Sequence, residues 1–118
     1  MNTRKKGAEY EQAAAAYLRR CGVIILECNY RNRKGEIDLI GRDGAYTVFF
    51  EVKYRRNDKK GSPTEAVNFT KQRTICRVAD YYRMKHGMGE FSAVRYDVVA
   101  IEGEKVTWYK NAFSHIYT

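Results

Sequence analysis

Two periods of apolar spacing succeed one another along the chain, and the points where one gives way to the other mark out its elements. From about Gly7 to Cys21, the residues Tyr10, Ala13, Ala14, Tyr17, Leu18 and Cys21 recur at the i, i+3, i+4, i+7 spacing of a helix that faces a core, and Gly22 supplies a stop. Val23 to Cys28 is a short apolar run that predicts a first strand, followed by the polar run Asn29-Tyr30-Arg31-Asn32-Arg33-Lys34. Gly35 to Arg55 then alternates with a period of two, as Gly-Glu-Ile-Asp-Leu-Ile, a turn at Arg42 to Ala45, and Thr-Val-Phe-Phe-Glu-Val-Lys-Tyr-Arg, which predicts a hairpin. Ser62-Pro63-Thr64-Glu65 has the form of a helix start, with Ser62 as cap, Pro63 at the first position and Glu65 completing the capping box. That helix is expected to run to about His86 and to end at Gly87. Ala93 to Ile101 predicts another strand, Glu102-Gly103-Glu104 a turn, and Lys105 to Lys110 a last strand in which Trp108 packs.

The order α-β-β-β-α-β-β predicts an α/β fold, a mixed five-stranded sheet flanked by helices. Hairpins supply antiparallel pairs, and the long helix between the third and fourth strands allows a parallel crossover. A chain of 118 residues accommodates one domain, 1–118, with one modest core. Hydrophobic residues at 44% and charged residues at 31% describe a soluble globular protein, and no apolar run approaches the roughly 20 residues that span a bilayer. Met1 to Lys6 is basic but leads into no apolar signal region, so export is not expected and the cytoplasm is the expected location. Cys21, Cys28 and Cys76 have no C-x-x-C or Cys/His spacing and read as reduced core thiols.

Charge changes this picture. The net charge of +8, from 22 Lys and Arg against 14 Asp and Glu, favours a polyanionic partner, although positive charge also keeps soluble proteins apart. Neither helix presents the basic amphipathic face that a membrane surface would need. More telling are the charged residues within the hairpin strands. Glu36, Asp38, Glu51 and Lys53 lie among Ile, Leu, Val and Phe, where a charge is costly unless it is paired or binds a metal. Strict alternation puts Glu36 and Asp38 on one face, with Ile37 and Leu39 on the other, and puts Glu51 and Lys53 together in front of Val48, Phe50 and Val52. If the turn closes a hairpin, Asp38 and Glu51 converge with Lys53 beside them, the constellation of a divalent-metal phosphodiester site; the bland alternative is a half-solvated sheet face with a weak surface ion pair.

Those residues carry a resemblance. Gly-Glu-Ile-Asp-Leu-Ile followed by Phe-Phe-Glu-Val-Lys-Tyr-Arg resembles the core motif of the PD-(D/E)XK, or restriction-endonuclease-like, nuclease superfamily. More narrowly, the chain is similar to the small bacterial YraN-type family, which itself resembles archaeal Holliday-junction resolvases. Gly7, Glu11, Ala14, Leu18, Gly22, Asn29, Arg55, Lys71 and the Arg95-Tyr96-Asp97-Val98-Val99 segment also match that family's pattern, whereas Ile37 stands where the superfamily name has proline. The resemblance implies a restriction-endonuclease-like fold and a Mg²⁺- or Mn²⁺-dependent endonuclease acting on structured or branched DNA. Asp38 and Glu51, with the backbone carbonyl of Val52, would be the metal ligands and Lys53 the catalytic lysine. An alternative with the same fold is a nucleic-acid-binding module, or an interaction subunit in DNA processing, with little or no turnover.

Four further positions are read beside that core. Glu11 falls about 20° from Leu18 on the helical wheel; it is either an acid stabilised by the helix dipole or, as the resemblance implies, a catalytic-site acid that orients a metal-bound water, with Glu36 a weaker candidate. Lys71 falls in the apolar stripe Val67, Ile75, Val78, Ala79, Tyr82, so it must either snorkel outward or meet an acid, and the resemblance favours the cluster of Glu11, Asp38 and Glu51. Asp97 is either another site acid or the structural partner of Arg95. Arg31, Arg33, Lys34, Arg55, Arg56, Lys59, Lys60 and Lys71 are the candidate nucleic-acid contacts, although a basic loop is as often merely solvated. A two-fold homodimer is expected for paired cuts across a junction.

Overall fold

The computed structural model describes residues 3–55 and 67–117, with side chains from residue 7 onward. Its elements follow the predicted order: α1 (Thr3–Arg20), β1 (Ile24–Asn32), β2 (Gly35–Asp43), β3 (Tyr46–Arg55), α2 (Phe69–Lys85), β4 (Val94–Glu102) and β5 (Lys105–Phe113). The strands form one sheet in the order β1-β2-β3-β4-β5, antiparallel throughout except for the parallel pair β3 and β4. The result is a mixed α/β arrangement in which α2 occupies the connection that a parallel pair requires.

Buried side chains separate onto the two faces of the sheet. Ala14, Ala15 and Leu18 of α1 pack with Leu39, Val48, Phe50, Val99 and Ile101. Ile75, Cys76, Val78, Ala79 and Tyr82 of α2 pack with Ile37, Ile40, Phe49, Tyr96 and Val98. Both faces of β3 and β4 are therefore covered, which is why Val48-Phe49-Phe50 and Val98-Val99 are continuous apolar runs.

Boundaries depart from expectation in ways that have physical causes. α1 begins at Thr3 rather than Gly7, since Arg and Lys are good helix formers that need no apolar contact. Glu11 therefore lies well inside the helix, and the reading of it as an acid stabilised by the helix dipole, which needs a place in the first turn, fails. β1 runs to Asn32 rather than ending at Cys28; as an edge strand it needs neighbours on one side only, and backbone pairing of Tyr30, Arg31 and Asn32 with β2 carries it past the apolar run. α2 begins at Phe69 under its own cap, Asn68, which is extended (φ −70, ψ 173) and accepts the Lys71 N–H on its side-chain oxygen at 2.9 Å. The helix reaching His86 is thus not continuous from Ser62, and the expected start at Ser62, Pro63 and Glu65 lies outside the described residues. Gly22 and Gly87, with φ of +95 and +63, end the helices as anticipated.

The β1–β2 hairpin closes through Arg33 and Lys34, between the paired Asn32 and Gly35. Its tip lies on α2: a Cβ at Gly35 would sit 2.7 Å from Thr74 Cγ2, so only glycine allows this approach. Cys76 is in the core, but Cys21 and Cys28 are exposed, against the expectation of three core thiols; Cys21 falls beyond the end of α1 and Cys28 lies on the edge strand.

Candidate active site

Two interruptions of the sheet ladder create the site. Pairing of β2 with β3 runs from Asp43–Tyr46 to Leu39–Phe50. Beyond it the Val52 N–H donates to Asp38 Oδ2 at 2.8 Å, so a side chain takes the place of a backbone acceptor where the strands part. On the other side of β2, Cys28 pairs with Leu39 and Tyr30 with Ile37, while Asn29, between them, takes the left-handed φ of 54. Ile37 packs on the α2 face and Leu39 on the α1 face. The strict alternation expected from Glu36 to Leu39 is therefore broken at Asp38, in the stretch where Asn29 takes its left-handed φ on one side and β3 parts from β2 on the other.

That break brings the acids together. Asp38 neighbours Glu51, and Glu11 neighbours both Asn29 and Asp38, closely enough for each to bear on the other's proton. Carboxylate oxygens of Glu11, Glu36 and Asp38 lie within 4.8 Å of one another. Burial first, then the charge and hydrogen bond of Glu51, push the Asp38 carboxyl up to about 9, against a lowering by the Val52 N–H. Without a cation, burial and the neighbouring carboxyls therefore favour the protonated form of Asp38. Burial and the charge of Glu36 also raise Glu11, and its Oε1 is buried with no hydrogen-bond partner among the described residues.

Cations clamp the other flank. Glu51 is 4% exposed, and its Oε2 lies 3.4 Å from Lys53 Nζ and 3.6 Å from Lys71 Nζ. Lys71 meets an acid rather than snorkelling away, which accounts for a lysine in an apolar stripe. Tyr10, next to Glu11, stacks on Tyr54, next to Lys53, with ring centroids 4.2 Å apart at 12°.

The remaining expected residues are distributed unevenly. Arg31 pairs with Glu36 at 2.9 Å, so part of its charge is spent on the site's own acid. Arg33 and Lys34 are exposed at the hairpin tip, and Arg55 ends β3. Arg56, Lys59 and Lys60 lie outside the described residues. Val52 reaches the site through its N–H, a contact the expected carbonyl ligand did not anticipate. Asp97 is structural. It is fully buried and accepts from Arg95, from Trp108 Nε1 at 2.8 Å and from the Asn111 N–H at 2.8 Å, while Arg95 also holds Asp43 at 2.8 Å. The role of Asn29 as the pivot was missed, since nothing short of a positive φ distinguishes it from a loop asparagine.

Fold and site thus define a mixed α/β protein with a five-stranded sheet and two helices, in which a half-buried carboxylate cluster sits where the ladder opens. Residues 10–101 match the model of the Uncharacterised protein family UPF0102, and the chain belongs to that family. It is 45% identical over 113 residues to a UPF0102 protein of Lachnoclostridium phytofermentans, covering 96% of each chain. A UPF0102 protein of Vibrio cholerae is 42% identical over 117 residues (97% of this chain, 96% of the relative), and one of Legionella pneumophila is 39% identical over 113 residues (94% and 96%). Among the described residues no helix is long and apolar enough to cross a membrane.

Proposed function

We propose that this protein is a Mg²⁺- or Mn²⁺-dependent phosphodiesterase of the restriction-endonuclease-like class, an endonuclease on structured or branched DNA that works in the cytoplasm. The observation that carries the reading is Asp38, a half-buried carboxyl grouped with Glu11 and Glu36 and neighboured by the buried Glu51, with the Lys53 ammonium 3.4 Å from Glu51.

The donor set fits a hard divalent cation: it is all oxygen, Glu11 Oε1 is buried and unpartnered, and Asp38 is poised to exchange its proton for a metal. A bound Mg²⁺ or Mn²⁺ supplies Lewis acidity and a water of lowered pKa. Asp38 would hold it, with Glu51 or with Glu11 and Glu36. Lys53, half-buried beside Glu51, is placed to orient a water or to donate to the charge that grows on the phosphoryl oxygens. Lys71 balances Glu51 in the metal-free protein and is free to turn to phosphate when a cation takes over that role. A protein that only binds nucleic acid gains nothing from buried acids facing phosphate, which favours turnover over binding alone.

The test is incubation of purified protein with linear duplex, single-stranded, flap and four-way-junction DNA, with Mg²⁺, with Mn²⁺ and with chelator. Metal-dependent cleavage that chelator abolishes is expected. Absence of cleavage of every substrate with either metal would overturn the reading and leave the binding module.

A further inference from the structure

Two recesses meet at Glu11, between α1 and the edge strand β1. Both are lined by Ala8, Glu11 and Asn29; one, of about 560 Å³, continues to Gly7, Arg31 and Glu36, and the other, of about 430 Å³, to Gln12, Ala15 and Arg19 of α1 and to Leu39 of β2. Glu11 and Glu36 belong to the carboxylate cluster, so the groove opens from the cluster itself. The sequence of α1 leaves room for it. At 100° per residue Ala8, Gln12, Ala15 and Arg19 fall within a stripe about 60° wide, beside Ala14 and Leu18 that pack on the sheet, and Glu11 lies on the border between the two. That stripe ends in a cation. Arg31, at the other end of the groove, is paired with Glu36 at 2.9 Å, and Arg20 lies over the Tyr17 ring, whereas the Arg19 guanidinium has no partner among the described residues. Stabilising the C-terminal end of α1 accounts for a basic last turn, and Arg20 serves that end as well as Arg19 does; it does not require an unpaired guanidinium on the wall of a groove that leads to the site.

Arg19 stands two turns beyond Glu11, about 12 Å along the helix axis, so an anion held there is clear of the acids. Between them Gln12 offers an exposed amide that both donates and accepts, the kind of group that meets the edge of a base. A recess of about 430 Å³ has the size of a small-ligand site, which admits a nucleotide, whereas a double helix could only rest on its rims. We propose that the α1–β1 groove seats one unpaired nucleotide next to the scissile phosphate, with a phosphate on Arg19 and the base beside Gln12, so that the strand to be cut is single-stranded on that side. The inference rests on the reading of the acids as a phosphodiesterase site, but binding in the groove is testable without cleavage.

The experiment is fluorescence anisotropy in chelator, with labelled oligothymidylate and a duplex of equal length, on the whole chain and its Arg19→Ala, Arg20→Ala, Ala8→Leu and Ala13→Leu variants. Arg20 carries the same charge in the same turn as Arg19, and Ala13 is exposed on α1 like Ala8, but neither lines the groove. Arg19→Ala is expected to weaken oligothymidylate about tenfold, the loss of one charged hydrogen bond, and to lower the slope of log K against log[salt] by about 0.7. Ala8→Leu, which fills the groove without removing a charge, is expected to weaken it by at least about fivefold. Arg20→Ala and Ala13→Leu on oligothymidylate, and every variant on the duplex, should change affinity by less than about twofold. No binding of oligothymidylate by the whole chain, equal losses for Arg19→Ala and Arg20→Ala, unchanged binding by Ala8→Leu, or equal losses on the duplex would overturn the groove. Chelator keeps the two proposals apart: a protein that binds through Arg19 and Ala8 but never cleaves refutes the phosphodiesterase alone, and one that cleaves with Arg19→Ala and Ala8→Leu binding normally refutes the groove alone.

Discussion

Asp38 neighbours Glu51 and Glu11, the Val52 N–H is the one backbone donor it accepts among the described residues, and each carboxyl neighbour adds to the cost of ionising it. Removing its negative charge should therefore separate chemistry from binding. Asp38→Asn and Glu51→Gln are expected to lower cleavage by at least about a hundredfold while DNA affinity in chelator holds or rises, because repulsion with phosphate goes too; full activity in both would remove the acids from the mechanism. The same burial has a pH signature. A carboxyl raised from its ordinary 3.8 to about 9 gives the folded state extra bound protons between those values, so its contribution is present below the lower value and lost as pH rises through the upper one. Between pH 7 and pH 9, where His115, held below its ordinary value by burial, is already neutral, the metal-free protein should lose stability by up to about 1.4 kcal/mol per pH unit from this group. Urea midpoints across that range in chelator check this, and Asp38→Asn should flatten the slope; a slope unchanged by Asp38→Asn would place the titration elsewhere.

At the scale of elements, the site depends on where strands stop being regular. Asn29 holds a left-handed φ of 54 on β1, and β5 has a counterpart in Asn111 at φ 55, whose N–H is taken by buried Asp97. In each case an aspartate on the neighbouring strand lies beside the irregularity, but only Asp38 is left with acids rather than with an arginine. A β-branched residue resists that backbone, so Asn29→Val is expected to cost about 1–2 kcal/mol and to weaken cation binding, whereas Asn29→Gly should stay within about 1 kcal/mol in urea unfolding. Equal stability of the two variants would mean that the kink is not intrinsic to position 29. This is also where legibility ended. The period of the apolar residues gave the elements and their order, and the acids among Ile, Val and Phe marked β2 and β3 as the functional pair. Alternation failed at Ile37 and Leu39 because a kink set by one φ leaves no trace in hydrophobic spacing. Ser62 and Asn68 are both good caps in sequence, and the helix that reaches His86 opens under Asn68, whose side chain accepts the Lys71 N–H, rather than at Ser62.

For the whole molecule, the net charge of +8 and the exposed cations at the β1–β2 tip set how it should meet a polyanion. If about four to six of Arg31, Arg33, Lys34, Arg55, Arg56, Lys59 and Lys60 contact phosphates, log K on duplex DNA should fall against log[salt] with a slope of roughly −4 to −5; a slope near zero would assign the charge to solubility. Light scattering with and without junction DNA checks the expected two-fold dimer, and monomer in both would refute it. The account as a whole rests on a cation at Asp38, and calorimetric titration with Mn²⁺ at pH 7.5 tests that most directly. The expected result is saturable binding that Asp38→Asn weakens by at least about tenfold. No saturable binding up to millimolar Mn²⁺, or the same affinity in Asp38→Asn, would contradict it.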